Sequence, residues 1–396
     1  VAACLSRRDE SVASSVKQFD LAIVGAGILG LAHALAASRL GLRVVVIERD
    51  TRANGASIRN FGFVTVSGQE RGTIWRRTLR SRDVWLEVAN AAGIDVLQHG
   101  AMIAARRPEA LAVIEAFMQT EMAEGCELLS PAELGSRQAA LDPQHFAGAL
   151  WSPHELRVES KTAIPRLAAW LEEHHGVALH RGTAVHSAVP PVVETSRGPI
   201  HAGKVVVCPG DDLATLFPDR IAARGVNRCK LHMLRLADPG FRLSSAVLSD
   251  LSLARYAGFA ALPPAAALGQ RLEAEEKPAL DNGVHLIVVQ SADGSLVVGD
   301  SHHYLPTPEP FNDESVDDII LGAYHHVFRG THPKVIARWT GTYATADQPM
   351  LIDAPAPDVR LVINTGGNGA STSFAVAEEV IADLFEKEIE SIRRSA

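Results

Sequence analysis

Apolar positions along the chain fall into three spacings. Unbroken runs at 21–24, 44–47 (in a strand expected over 42–47) and 205–208 suit strands buried on both faces. Spacing near 3.6 predicts helices over about 28–40, 70–93 (Ile74, Trp85, Val88, Ala92) and 109–124, the last closed by Gly125. A further helix over 161–175 is expected to be capped by Ser160 and stopped by Gly176, and 177–189 reads as strand, turn and strand. From 226 to 345 the texture changes to strands without crossover helices: CKLHMLRL (229–236), SLARYAGFAAL (252–262) and the hairpin VHLIVVQSADGSLVVGDS (284–301), turned at Asp293-Gly294. Asn312 opens a covering helix over 313–329, and 360–385 reads as strand, glycine-rich turn and helix. The pattern predicts an α/β, two-domain chain: a Rossmann-like domain with an inserted, mostly antiparallel β-sheet domain.

The first of these units carries the most specific signal. Strand, Gly25, Gly27, Gly30, helix, second strand and Glu48 follow in the order of a dinucleotide-binding βαβ motif. Gly25 allows the tight turn, Gly27 the close approach of a pyrophosphate and Gly30 the packing of helix on strand, while the helix N-terminus presents amides and partial positive charge. Glu48 is placed to accept from a ribose hydroxyl, which disfavours a 2′-phosphate. Ala26, Ile28 and Leu29 complete the turn, and Arg49 follows the acid. The loop 50–69 returns over the crevice with Ser57, Arg59 and Asn60 as donors, either to a phosphate cradle or to ordinary turn bonds. A second glycine turn at Gly367, Asn368, Gly369, Ala370, Ser371 and Thr372 opens the last helix. Two such turns favour a flavin dinucleotide over a nicotinamide one, which needs only the first.

Composition narrows the classes. At 396 residues two connected domains are the better prior, expected here as 20–100, 150–225 and 346–396 for the dinucleotide domain, 101–149 and 226–345 for the substrate domain, and 1–19 as a leader. A net charge of −8 argues against a nucleic-acid partner, which needs concentrated basic surface, but leaves room for a local cationic pocket. The run Arg76, Arg77, Arg80 and Arg82 is read as a solvated helix face. Cys4, Cys126, Cys208 and Cys229 have neither metal nor redox spacing, and no run reaches the ~18 residues of a membrane span, so a reduced, cytoplasmic protein without a membrane partner is expected.

Taken together, GAGILG with Glu48, the GASIRNFG loop, VVVCPG at 205–210 and the terminal TGGNGAST resemble, in order, the D-amino-acid oxidase (DAO) superfamily of flavoproteins that contains glycine oxidase and sarcosine oxidase. The resemblance implies a glutathione-reductase-type fold, FAD held noncovalently, and oxidation of an amine carbon with dioxygen or another electron acceptor. It extends the expected FAD contacts to Val185, Pro209 and Gly210. SIRNFG (57–62), NRCKLHMLR (227–235), GDSHHY (299–304) and RWTGTYAT (338–345) are similar to signatures of the oxidoreductases associated with bacterial phosphonate degradation. That narrower likeness implies 2-aminoethylphosphonate or an N-alkyl derivative as substrate, giving phosphonoacetaldehyde after imine hydrolysis. Glycine oxidase-like members carry a carboxylate-binding arginine two residues beyond the late-sheet glycine; here Gly341 is followed by Thr342 and Tyr343. The alternatives are a glycine- or sarcosine-type oxidase and an NAD-dependent dehydrogenase.

An anionic amine needs cations or donors in a partly dry pocket. Arg59, Lys230, His232, His302, His303, Arg338 and Tyr343 are the candidates. Lys230 and His232 should share one face of an extended strand, either toward the cofactor or toward solvent, and only one of His302 and His303 should point inward. No metal is expected, because no carboxylate or third histidine stands at ligand spacing from that pair.

Overall fold

In the computed structural model, residues 18–394 are described. A parallel sheet runs in the spatial order Ala178–His180, Val44–Ile47, Gln18–Val24, Ile200–Val207, Val359–Gly366. Successive residues of its strands point to opposite sides: Leu21 and Ile23 join one apolar cluster, Ala22 the other. The helix Ile28–Arg39 is apolar around nearly its whole circumference because it is sandwiched between this sheet and other helices, including Gly369–Leu384 and Ser160–His175. The opposite face is closed by the hairpin of Val185–Val189 and Val192–Thr195.

A second sheet runs Val335–Ala356, Asn227–Leu236, Leu296–Gly299, Ile287–Gln290, Ala246–Ser249, Val96–Ala105, Gly148–Val158. It is antiparallel except where Ala246–Ser249 lies parallel to Val96–Ala105. The 22-residue strand Val335–Ala356 belongs to both sheets, pairing first with Asn227–Leu236 and then with Val359–Gly366. This mixed two-layer architecture is the α/β fold with an inserted antiparallel sheet that the apolar pattern predicts.

Several local expectations need correction. The leader 1–19 lies outside the described residues except for Gln18 and Phe19, which already pair with His201 and Ala202 in the first strand. The helix expected after Ser160 includes that residue; Glu159 is its N-cap but makes no capping bond, since its carboxylate is taken by Arg157 and Ser291. Asp313, not Asn312, caps Glu314–Val327, accepting from the Ser315 amide. The arginine run is not merely solvated: Arg77 and Arg80 bind Glu379 and Glu378 of the last long helix at 2.6 and 2.7 Å. The strand expected over 252–262 is instead two short helices, Leu251–Arg255 and Ala257–Ala260. Leu, Ala and Arg favour helix, and the Gly258 amide docks on the Gly68 carbonyl at 2.8 Å, which fixes the bend between them.

Candidate active site

The two glycine turns meet. Gly25 has φ +99°, and a Cβ there would stand 2.4 Å from the Cys208 carbonyl oxygen; a Cβ on Gly30 would stand 1.9 Å from that of Gly25. Both positions therefore exclude any side chain, and the helix begins flush against the strand. Its first amide, Ile28, donates to Ser57 Oγ at 2.9 Å, which brings the loop 50–69 onto the helix N-terminus. The Glu48 carboxylate accepts from the amides of Ala26 (2.8 Å) and Asp50 (2.9 Å), closing the turn from the end of the second strand. At the other end of the chain Asn368 opens the helix Gly369–Leu384 without a side-chain cap, so its first amides remain available. A Cβ on Gly369 would be 3.8 Å from Ile28 Cγ2: two helix N-termini from opposite ends of the sequence share one rim.

Below that rim lies a cavity of about 540 Å³ lined by Gly27, Ile28, Leu29, Gly30, Ser57, Arg59, Asn60, Gly210 and the turn from Gly367 to Ser371. Its far wall comes from the second sheet and the short helices: Arg255, Tyr256, His285, Asp300, His302, Tyr304 and Tyr343. The loop backbone is pinned to this sheet by Trp339, whose indole donates to the Arg59 carbonyl at 3.0 Å, and it passes closely over Gly341. Arg255 lines the cavity and is exposed there, and its guanidinium donates to Tyr304 Oη at 2.8 Å. Tyr343 lies beside Gly367, and burial pushes its phenol up, so it stays protonated.

Asp300, His285 and His302 form a buried cluster, with His285 Nε2 3.1 Å and His302 Nε2 3.8 Å from the carboxylate oxygens. Burial presses the His302 ring down to about 3 and also lowers His285, so both are neutral at pH 7. Burial alone would raise Asp300; His302, His285 and Arg255 outweigh it and hold the carboxyl at about 2. Contrary to the spacing along the chain, a third histidine and a carboxylate do join His302, with donor atoms all within 4.8 Å of one another.

Other candidates stand elsewhere. Lys230 and His232 do share a face, but it is turned to the helix Glu314–Val327: the Lys230 ammonium donates to the Phe311 carbonyl, and His232 Nδ1 lies 3.1 Å from Asp317. Arg338 donates to the same Asp317 at 2.7 Å, and His303 stacks obliquely on His232. None of the four lines the cavity, whereas Arg59, His302 and Tyr343 do. Arg49 is paired with Asp212 at 2.9 Å, Val185 is buried in the core behind the sheet, and Thr372 turns back to the Asn368 carbonyl. Neither these nor Pro209 touches the cavity. Arg255, Tyr256, His285, Asp300 and Tyr304 were missed by the sequence reading.

A family model described as FAD dependent oxidoreductase (DAO) matches residues 20–384. The chain belongs to the DAO family. No curated protein sequence matches it significantly. Among solved structures it is similar to glycine oxidase from Geobacillus kaustophilus (19% identity, TM-score 0.73, covering 94% of this chain and 95% of the other). It is also similar to L-proline dehydrogenase from P. horikoshii (17%, TM-score 0.74, 94% of each chain). A third is the FAD-bound L-alpha-glycerophosphate oxidase from Mycoplasma pneumoniae (16%, TM-score 0.74, covering 93% and 95%). At these identities the likeness speaks for the fold.

Membership of the DAO family makes the chain an FAD-dependent oxidoreductase and answers the choice between flavin and nicotinamide. The residues present fit FAD: two glycine turns that bring backbone close, two helix N-termini at one rim and an adjoining cavity. Among the described residues no helix is long and apolar enough to cross a membrane.

Proposed function

We propose that this DAO-family enzyme oxidises the C–N bond of a small anionic amine, 2-aminoethylphosphonate or an N-alkyl derivative of it, to an imine that hydrolyses to phosphonoacetaldehyde. The observation that carries this reading is that Arg59 and Arg255 line one cavity while their guanidinium hydrogen bonds go to uncharged groups, Asn54 Oδ1 and Tyr304 Oη. Arg255 shares its charge with nearby Asp300, but neither guanidinium hydrogen-bonds a carboxylate, so both keep N–H groups for an anion, and two guanidinium groups suit a phosphonate dianion. The threonine and tyrosine after Gly341 support the same choice, since the carboxylate-binding arginine of glycine oxidase-like proteins has no counterpart there.

When bound, FAD supplies the acceptor for the two electrons. The protein's own contribution is orientation. Arg255 and Arg59 hold the anion; Leu231, Phe61, Phe63 and Ile287 supply apolar lining that keeps water from the amine end. Thr342 and Tyr343 also line the cavity. Noncovalent FAD is favoured because burial pushes the cavity-lining Cys208 thiol up, leaving no thiolate for attachment. Dioxygen or another acceptor completes the cycle.

Anaerobic bleaching of the bound flavin by 2-aminoethylphosphonate, its N-methyl derivative, glycine and sarcosine tests the proposal. Faster reduction by the phosphonates is expected. A strong preference for glycine or sarcosine would replace the phosphonate with a carboxylate and make the enzyme an amino-acid oxidase.

A further inference from the structure

We propose that Arg107, which does not line the cavity, is a positioning residue that aims Arg255 and so sets the affinity for the substrate's anionic end. The inference rests on the anionic-amine reading above and extends it to the groups that fix where the cavity's guanidinium points. Arg255 ends the helix Leu251–Arg255, whose five residues are too few to hold a helical turn unaided in water. Leu251 and Leu253 are buried, but apolar contact is non-directional and does not by itself set the rotation of the turn. Direction has to come from hydrogen bonds and charge. Three ties supply it: Asp250 before the helix, Ser252 Oγ donating to the His285 carbonyl at 2.8 Å, and the Gly258 amide on the Gly68 carbonyl at 2.8 Å.

The first tie runs against local preference at two helix ends. Asp250 occupies the N-cap, where an aspartate ordinarily accepts from an amide of the first turn, yet it makes no capping bond. Its buried carboxylate accepts instead from Arg107 Nη1 at 2.9 Å and from the Arg106 amide at 3.3 Å. The other Arg107 nitrogens donate to Glu275 (Nε, 2.8 Å) and Glu276 (Nη2, 2.7 Å). Both acids stand at the C-terminal end of the helix Ala265–Glu275, where the macrodipole disfavours negative charge. Arg107 itself lies between the strand Val96–Ala105 and the helix Pro108–Phe117, so three segments meet on one buried guanidinium. Desolvation offsets much of the attraction in such a cluster, so net stability is a poor account of it; the planar fork accepts carboxylates along fixed directions, and what it imposes is geometry. Fixing Asp250 fixes the rotation of the turn that starts there. Arg255 follows about 7.5 Å further along the axis, its head reaching Tyr304 Oη at 2.8 Å. A displacement of that head by about 1 Å is enough to spoil its hydrogen bonds to an oxyanion.

A double-mutant cycle on the FAD-loaded enzyme tests this, with Kd read from the concentration dependence of anaerobic flavin reduction by 2-aminoethylphosphonate and by propylamine. Arg107→Met should raise the phosphonate Kd about 10-fold and the propylamine Kd less than about 2-fold. In an Arg255→Met background the same substitution should add less than about 2-fold for either amine, because the group it aims is gone. Arg107→Lys, which keeps the charge but not the fork, should fall between wild type and Arg107→Met. Asp250→Asn keeps the shape and removes the charge; it should repeat the Arg107→Met pattern, and it carries the test if Arg107→Met does not fold. Flavin content and the urea midpoint are checked for each variant. Equal weakening of both amines, or a phosphonate loss of about 10-fold that persists without Arg255, would overturn the inference and leave Arg107 a stabilising residue. Wild-type phosphonate Kd in folded Arg107→Met or Asp250→Asn would overturn it as well. If Arg255→Met alone leaves the phosphonate Kd unchanged, or the phosphonate does not reduce the wild-type flavin, the anionic-amine reading itself falls and takes the positioning role with it.

Discussion

Replacing Arg255 by Met is the sharpest test of how the pocket recognises charge. Met retains much of the apolar stem while removing the guanidinium, so packing against Tyr256 and the short helices is largely preserved. The Arg255 head donates to Tyr304 Oη at 2.8 Å and has further N–H groups for the cavity. Each charge-assisted hydrogen bond from it to an oxyanion contributes about 1.5–3 kcal/mol. Asp300 already draws on the same positive charge, which places the net loss near the lower end for two bonds, about 3 kcal/mol. That corresponds to a rise of roughly 150-fold in Kd. The assay is the concentration dependence of anaerobic flavin reduction by 2-aminoethylphosphonate and by propylamine, which lacks the anion. Arg255→Met should weaken the phosphonate by about 100-fold or more and propylamine by less than about 3-fold; Arg255→Lys should fall between, since a point charge replaces a fork. Lys230→Met and Arg338→Met serve as controls. Both side chains are committed to partners on the far side of the sheet and should leave the phosphonate Kd nearly unchanged. Equal weakening of both amines by Arg255→Met, or a large effect of Lys230→Met on the phosphonate alone, would refute the assignment.

Other substitutions probe the fold beneath the pocket. Gly30→Ala puts a methyl 1.9 Å from the Gly25 carbonyl, so the helix must move off the strand; purified protein should carry little flavin, and a full complement would show that the turn tolerates the shift. Glu378→Gln removes the buried anion held by Arg80 (2.7 Å) and Arg393 (2.9 Å), with a side chain only 3% exposed. Because both arginine heads reach water, the loss should be about 2–4 kcal/mol in urea unfolding, and less than about 1 kcal/mol would mean the cluster contributes little. The His302 ring titrates at about 3 in the folded state against 6.5 unfolded, so below pH 6.5 the unfolded chain takes up a proton that the folded one refuses. Its contribution to stability is present above pH 6.5 and is lost as pH falls toward 3, adding a slope of about 1.4 kcal/mol per pH unit that His302→Gln should remove; identical slopes would contradict a neutral buried ring.

What the sequence disclosed and what it hid divide along the range of the forces involved. The glycine turns were legible because positive φ at Gly25 and contact with backbone at Gly30 are local demands that leave a residue-type signature. Period-two spacing likewise placed Lys230 and His232 on one face, but which face meets the cavity depends on where the helix Glu314–Val327 docks, and Asp317 on that helix gathers both His232 and Arg338. Arg255 was hidden by a wrong element: SLARYAGFAAL mimics a short strand until its docking on Gly68 is known. The His285–Asp300–His302 cluster was recoverable. With the turn at Asp293-Gly294 and Ile287 opposite Gly299, extending the hairpin by two residues sets His285 against Ser301, between Asp300 and His302. Ligand spacing counted along the chain misses such a pair because a hairpin brings its ends together.

The same architecture joins the glycine turns and the far wall around one cavity. The strand Val335–Ala356 carries Tyr343 from its register partner Cys229 in the substrate sheet to the edge of Gly367, so a change there strains the flavin turn and the pocket wall together. Arg255 sits on a short helix whose neighbour is anchored through Gly258 to the backbone of the loop at Gly68, and that loop is itself tied to the second glycine turn, Gln69 Oε1 accepting from Asn368 Nδ2 at 3.1 Å. The demands at Gly25, Gly27 and Gly30 are those of backbone packing and dinucleotide approach, which is why a family signature readable there says so little about which amine is oxidised.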